Sequence, residues 1–263
     1  MKMRVTGGPA EPFLSARGLF ETEHDLSMPV HVEVRADPDE RTRVSHDETH
    51  HLVISRQAAT SAMARELALH EFAHMRHNER GHPSHTQSVE EALFLALTGR
   101  SVERRKVAHC YQIANHMKDI YADDLWVGLA PGGKLVGFFE STLAAAVADR
   151  PTDPPAWDAI HTKRSREQEA DPPDRLTPAA DPDITAVNAA FALALCERHD
   201  LIGTDHRLYD LAHAAARDAP DVELERFKQR FAALSADPDE SEYRKALVDV
   251  TRQYVLGPRK AAD

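Results

Sequence analysis

The sequence predicts an α+β protein, in which a small N-terminal β-sheet precedes a mostly α-helical remainder. Two short stretches before residue 57, "PVHVEVRA" and "HHLVISR", have the composition of β-strands. From Gln57 onward, apolar residues recur at helical spacing. No internal repeat is visible that would point to a solenoid or a propeller.

The two predicted strands differ in pattern. Val30, Val32 and Val34 alternate with polar residues, which is typical of a strand with one buried face. The polar stretch "ADPDERTRVSHDETH" follows, and we expect it to form a turn or a long hairpin loop. The second strand, "HHLVISR", contains three consecutive apolar residues.

Four helices are expected before residue 150, over about 57–78, 88–99, 101–125 and 137–148. Gly81 and Pro83 terminate the first of them. The second begins at Ser88, which together with Glu91 forms an S-x-x-E capping box.

Composition divides the chain into three parts. Residues 1–150 form the first predicted domain, which contains the expected sheet. Residues 151–183 contain seven of the sixteen prolines, and this density predicts a Pro-rich linker or an irregular crossing. Residues 184–263 are expected to form three or four amphipathic helices whose apolar faces are core.

The charge and the apolar runs limit the possible partners. The formal net charge of −11 disfavours nucleic acid or an anionic membrane surface as the main partner. Cys110 and Cys196 form no C-x-x-C pair and indicate no disulfide framework. No apolar run approaches the roughly 20 residues of a membrane span, and no signal peptide is visible. We therefore expect a soluble, cytoplasmic protein of unknown oligomeric state.

The stretch "ELALHEFAHMRHNERGH" contains an H-E-x-x-H pattern at His70, Glu71 and His74. On a helix with about 100° per residue, the two histidines lie within about 40° of each other and can share a metal ion. Glu71 lies beside them, where a carboxylate can take a proton from a metal-bound water. A core helix with two hydrogen-bonded histidines is the non-functional interpretation.

The segment "LALHEFAHM" resembles the active-site helix of the HExxH zinc metallopeptidases, the zincins. The resemblance implies that His70 and His74 bind Zn²⁺ and that Glu71 is the general base. Zincins place a small sheet before this helix, so the N-terminal sheet is expected to pack on an active-site helix of zincin type. In zincins the edge strand usually holds the substrate backbone, and "HHLVISR" is the candidate for that strand.

A catalytic zinc usually has a third protein ligand. The extended zincin pattern would place a histidine at position 80, which is Arg80. The segment Asp119-Ile-Tyr-Ala-Asp123 resembles the E-x-x-A-D element of the CAAX-prenyl-protease-type gluzincins. The resemblance implies Asp119 as the third ligand, with Asp in place of Glu, and Asp123 as the hydrogen-bond partner of a ligand histidine.

Other residues are alternatives for the third ligand. Glu90 is the main one, and Glu91 lies beside it on the second helix. Of the histidines after the motif, His82 and His85 flank the Pro83 turn and are further candidates, as are the histidines of the third helix, whereas His77 lies on the motif helix itself and is not expected to reach the same metal. On the third helix, His109 and His116 share a face with Asp119, and either could stabilise the oxyanion of the reaction.

The pattern and the resemblance together predict a zinc metallopeptidase. It would hydrolyse peptide bonds of a peptide or protein substrate by a metal-activated water, with Glu71 as general base. The alternative is a zincin-fold metal-binding regulator or scaffold with little or no general peptidase activity. A metal-free helical protein is the remaining interpretation. Neither a nucleic acid nor a membrane is expected as a partner.

Overall fold

The computed structural model describes residues 1–148 and 181–257, so most of the predicted Pro-rich segment 151–183 lies outside the described residues. Contacts divide the chain into two compact units. The first comprises Met1–Val136 and Ala233–Val255, and the second the described residues within Gly137–Ala232 and Leu256–Asp263. The sequence did not indicate that a C-terminal segment groups with residues before 137.

The first unit contains a four-stranded sheet with the strand order β1-β2-β4-β3. The strands are β1 (Met3–Thr6), β2 (Val30–Arg35), β3 (Arg43–His46) and β4 (His50–Ser55). Strands β1, β2 and β4 run parallel, whereas β3 folds back antiparallel to β4. Every second residue of β2 is buried, as the alternating sequence pattern predicted.

Strand β4 is paired on both sides, with β2 and with β3. The prediction that "HHLVISR" is the edge strand is therefore wrong, and β1 and β3 occupy the edges. Strand β3 lies within the stretch expected to be a turn or loop. Its four residues carry only one apolar side chain, Val44, so the apolar pattern that reveals a strand is absent.

The helices of the N-terminal half are α1 (Glu11–Phe20), α2 (Arg56–Ala59), α3 (Ala64–Glu79), α4 (Pro83–Thr86), α5 (Val89–Leu97), α6 (Arg104–Trp126) and α7 (Gly133–Ala148). Helix α1 was not predicted, because residues before 57 were expected to form strands and turns. Its buried residues, Phe13, Ala16 and Phe20, are three and four positions apart and face the core. Gly18 and its short length obscured this period.

The single helix predicted over 57–78 is two helices, α2 and α3. After α2, the hydroxyl of Thr60 donates to the carbonyl of Arg56, and the hydroxyl of Ser61 donates to that of Ala58. The carbonyl of Ala58 would accept the amide of Ala62 in a continuing helix, but here it accepts both the amide and the hydroxyl of Ser61. The prediction missed the break because neither glycine nor proline marks it.

Helix α3 packs against α1 on one side and α6 on another. The rings of Phe20 in α1 and Phe72 in α3 meet edge to face, with centroids 5.9 Å apart. Phe72, Ala73 and Met75 are fully buried, so the core determines which side of α3 is left for the site. The first unit also includes α11 (Glu240–Leu256) up to Val255.

The second unit is built on α8 (Pro182–Arg198), against which α9 (Arg207–Ala216) and α10 (Leu224–Ala232) pack. Helix α8 is buried on most of its circumference, and many of its buried residues are alanines. With this sheet and these helices, the predicted α+β class is confirmed. In the part of the chain that the structure describes, no helix is long and apolar enough to cross a membrane.

Candidate metal centre

Helix α3 presents His70 and His74 on the same side, one turn apart. Their Nε2 atoms lie 2.9 Å from each other. The side chains of His70 and His74 are 21% and 18% exposed, so solvent can reach both rings. The sequence prediction that these two histidines face one point is confirmed by this geometry.

Asp119 on α6 completes a group of three possible ligands. Its Oδ1 lies 3.4 Å from Nε2 of His74 and 3.7 Å from Nε2 of His70. The possible ligand atoms of the three residues all lie within 4.8 Å of one another. This group could hold a metal ion, and it contains the aspartate that the resemblance implied.

The separations between the three donor atoms suit a four-coordinate metal ion. With metal–ligand bonds of about 2.0–2.2 Å, the donors of a tetrahedral site are about 3.3–3.6 Å apart. Of the two distances from Asp119, 3.4 Å lies within this range and 3.7 Å exceeds it by about 0.1 Å. The imidazole nitrogens, 2.9 Å apart, would separate by about 0.4 Å to admit the ion. Three protein ligands leave a fourth position for water.

Asp123 holds the ring of His70 from the side opposite Asp119. Its Oδ1 accepts hydrogen bonds from Nδ1 of His70 at 2.7 Å and from Nε1 of Trp126 at 2.6 Å. A carboxylate only accepts, so Nδ1 of His70 carries a proton and Nε2 points towards Asp119. The sequence predicted this role for Asp123. It did not predict Trp126, one helical turn further along α6.

Opposite charges gather in the metal-free centre. Burial lowers the pKa of His70, but Asp123 and Asp119 outweigh burial and raise that pKa to about 10. Burial raises the pKa of Asp119, yet the neighbouring imidazoles of His116, His74 and His70 hold that pKa well below its usual range. Asp119 is therefore an anion at neutral pH, and a metal ion that binds His70 has to displace a proton.

His74 is held by a different kind of partner. Its Nδ1 lies 2.8 Å from Nε2 of His85, and Nδ1 of His85 lies 2.8 Å from the hydroxyl oxygen of Ser84. That oxygen lies 2.7 Å from Nδ1 of His82. His82 and His85, two of the alternative ligands that the sequence offered, therefore lie on the Nδ1 side of His74, and they do not join the three-residue group.

Glu71 follows His70 on α3 and approaches the centre from the side. Burial raises the pKa of its carboxyl, the positive charges of His70 and His74 lower it, and the negative charge of Asp119 raises it. The net shift is upward, so the carboxyl accepts a proton more readily than an exposed glutamate does. Such a carboxyl suits a general base that works near neutral pH.

The other alternative ligands lie elsewhere. Glu90 and Glu91 occupy the exposed first turn of α5, where the hydroxyl of Ser88 donates to Glu90 and accepts the amide of Glu91. The predicted capping role of Ser88 is confirmed. His77, which was not expected to reach the metal, donates from Nε2 to the carbonyl of Tyr121, 2.9 Å away, and burial lowers its pKa to about 4.

The two histidines of α6 have separate environments. Nδ1 of His116 lies 3.6 Å from Oδ2 of Asp119, so His116 lies at the centre. His109 instead meets the hydroxyl of Tyr254 on α11, in a buried contact away from the three-residue group. The suggestion that His109 stabilises an oxyanion is therefore wrong. A helical wheel of α6 placed both histidines on one face, but it could not show that α11 covers one of them.

A buried cluster joins α3 to the sheet, and the sequence did not reveal it. Glu79 accepts the amides of Ser27 and Met28, both at 2.8 Å, and Nε2 of His50 at 3.0 Å. Nδ1 of His50 lies 2.7 Å from Nδ1 of His46. The cluster thus connects the end of α3 to both strands of the hairpin.

Comparisons with known proteins identify a family and no activity. Residues 1–256 match a family of unknown function, DUF5781, and the chain belongs to that family. No curated protein and no solved structure matched the sequence.

Proposed function

We propose that this member of the DUF5781 family is a zinc-dependent peptidase, with His70, His74 and Asp119 as metal ligands and Glu71 as general base. The observation that carries the proposal is the convergence of three donor atoms from two helices within 4.8 Å. A glutamate with a raised pKa lies beside them. Supporting residues also hold the outer nitrogens of both imidazoles.

The donor set favours zinc. Two imidazoles and one carboxylate are ligands that zinc takes in catalytic sites, whereas magnesium and calcium prefer oxygen ligands alone. When bound, zinc supplies Lewis acidity, which polarises a carbonyl oxygen and lowers the pKa of a water molecule towards about 7. The residues of the chain then have to orient that water and move its proton.

Glu71 performs the proton transfers in this proposal. Its carboxylate takes a proton from the attacking water and delivers it to the nitrogen of the leaving amine. His116 lies on the far side of Asp119 from the ligand histidines, with its Nδ1 3.6 Å from Oδ2 of Asp119. In this position it helps to keep the aspartate ionised and oriented.

The edge strand β3 is the surface that suits a substrate backbone. It is four residues long and pairs antiparallel with β4, and its other side is an edge of the sheet. An extended peptide can add to such an edge through main-chain hydrogen bonds. Burial lowers the pKa of His46 at the end of β3, and the charges of His50 and His74 lower it further. Strand β3 also contacts α3, the helix that carries His70 and His74.

Replacement of Glu71 by Gln tests the mechanism. The variant should bind one zinc ion per chain, as the wild type does, and lose peptide cleavage by at least about 100-fold, because it lacks the proton acceptor. Zinc is measured by elemental analysis, and cleavage by mass spectrometry of a peptide library. The matched control is Glu90→Gln, an exposed residue of α5, which should keep both properties.

Three results would contradict the proposal in different ways. Equal cleavage by Glu71→Gln and wild type would eliminate Glu71 as the base. Wild type that binds zinc but cleaves no peptide would favour the metal-binding regulator or scaffold. Wild type that binds no zinc would leave a metal-free protein.

A further inference from the structure

We propose that His85 is a positioning residue of the metal centre, which holds His74 through a hydrogen bond from Nδ1–H of His74 to Nε2 of His85. The proposal rests on the proposed metal site and deepens it. It concerns the histidine chain, which we define as His74, His85, Ser84 and His82. In this chain, successive side chains are 2.8, 2.8 and 2.7 Å apart.

The direction of the hydrogen bonds can be read from the far end of the histidine chain. The backbone amide of Ser84 donates to Nδ1 of His82 at 3.2 Å, and an amide can only donate. Nδ1 of His82 is therefore an acceptor. The hydroxyl of Ser84, 2.7 Å from the same nitrogen, has to supply its proton there, because two lone pairs would repel each other at that distance.

The remaining bonds follow one by one. Since the hydroxyl proton of Ser84 points to His82, its oxygen accepts, and Nδ1 of His85 is the donor. A neutral imidazole with Nδ1–H has a lone pair on Nε2. Nε2 of His85 therefore accepts from Nδ1–H of His74. With Nδ1 of His74 as a donor, Nε2 is the nitrogen left to bind a metal ion once any proton on it is displaced, and it is the atom that faces Asp119 and His70.

Burial fixes the middle of the histidine chain. Ser84 is fully buried, and its position at the start of α4 is set by the cap that the ring of His82 makes with its amide. The ring of His85 also stacks on His77, with centroids 5.2 Å apart and planes 25° apart. His85 can therefore rotate little, and a rigid acceptor orients its donor well.

His85, the partner of His74, differs chemically from Asp123, the partner of His70. An imidazole acceptor is neutral, so it orients His74 without adding a negative charge. The carboxylates of Asp119 and Asp123 already balance the charge of a divalent ion, and the carboxylate of Glu71 adds a third negative charge. A further carboxylate behind His74 would make the centre more anionic and would weaken its attraction for an electron-rich carbonyl.

The test uses three variants of the 263-residue chain and one probe, Zn²⁺, whose Kd is measured by competition with a chromophoric chelator. His85→Leu removes the acceptor and should weaken binding by about 10–100-fold. His85→Gln can place an amide oxygen near the position of Nε2 and should recover part of that loss. His51→Leu is the control, because His51 alternates with the buried residues of β4 and faces the other side of the sheet.

A second readout detects the hydrogen bond itself. In the zinc-loaded wild type with ¹⁵N-labelled histidine, we expect protonated Nδ1 in both His74 and His85. A trans-hydrogen-bond coupling should join Nδ1 of His74 to Nε2 of His85. A residue that only fills space would give no coupling. This readout needs no variant, so it decides the proposal even if His85→Leu does not fold.

The failures are distinguishable. Zinc-loaded wild type without the coupling, or His85→Leu that binds zinc as tightly as wild type, overturns the role of His85 and leaves the zinc site intact. Wild type that binds no zinc overturns the proposed function and the role of His85 together. A 10–100-fold loss in His85→Leu with partial recovery in His85→Gln and an observed coupling supports both.

Discussion

Helices α3 and α8 have nearly the same length and contrasting surroundings. Helix α8 packs against α9 and α10, and residues on most of its sides are buried, many of them alanines. Helix α3 buries one side and leaves another, with His70 and His74, partly exposed. The comparison teaches that the proposed chemistry lies on a helix that the core leaves partly uncovered. The buried residues of α8 contribute mainly to packing.

The largest effect is expected on α3, the partly exposed helix, where removal of a ligand should abolish tight metal binding. Asp119→Ala removes a proposed ligand and should weaken zinc binding by more than about 100-fold. Loss of a residue that only hydrogen-bonds a ligand weakens metal binding by about 10–100-fold, so loss of the ligand itself should weaken it more. Elemental analysis and chelator competition measure it. Glu90→Ala is the control for removal of a carboxylate. Unchanged zinc in Asp119→Ala, with zinc lost in Glu90→Ala, would reverse our assignment.

A substitution in α8, the buried helix, should lower the stability of the protein. Phe191 of α8 is 7% exposed and meets Phe139 and Phe231 edge to face, with centroids 6.0 and 6.1 Å away. Phe191→Ala should lower the free energy of unfolding by about 3–5 kcal/mol, as measured by urea titration. Phe138→Ala, at a side chain that is 47% exposed, should change it by no more than about 0.5 kcal/mol. Equal effects of the two variants would break the distinction between core and surface.

A smaller effect is expected from pH, which should change the affinity of the centre on α3 for zinc. The pKa of metal-free His70 is raised to about 10, mainly by Asp123 against the opposing effect of burial. Below that pH the ring is protonated, so zinc displaces a proton, and affinity should rise about tenfold per pH unit between pH 6 and 8. Calorimetry in two buffers of different ionisation enthalpy counts the released protons. A pH-independent affinity would show that His70 is not a ligand.

The parts of the site that follow local geometry could be predicted from sequence. His70 and His74 share a side because a helix repeats every 3.6 residues. Asp119 and Asp123 were found through the resemblance of their segment to the E-x-x-A-D element, in which the two acids lie one turn apart on one helix. Trp126 was missed because nothing in its spacing distinguishes it from a core residue.

The parts that depend on contacts distant in sequence could not be predicted. The edge position of β3 depends on a hairpin with a weak apolar pattern. His85 was considered as a ligand because it is near the motif in sequence. Its contact with Nδ1 of His74 depends on how the segment that contains α4 folds. The cover that α11 provides for His109 depends on a contact across 145 residues.

The convergence of α3 and α6 on one ion also has a mechanical consequence. A metal ion that holds His74 and Asp119 would cross-link two helices that are otherwise joined by packing, by hydrogen bonds and by the chain between them. Such a cross-link forms only in the folded chain and ties folding to metal supply. The stability gained grows with the logarithm of free metal concentration divided by Kd. Metal-starved molecules would accordingly be the first to open, and the first to reach a protease.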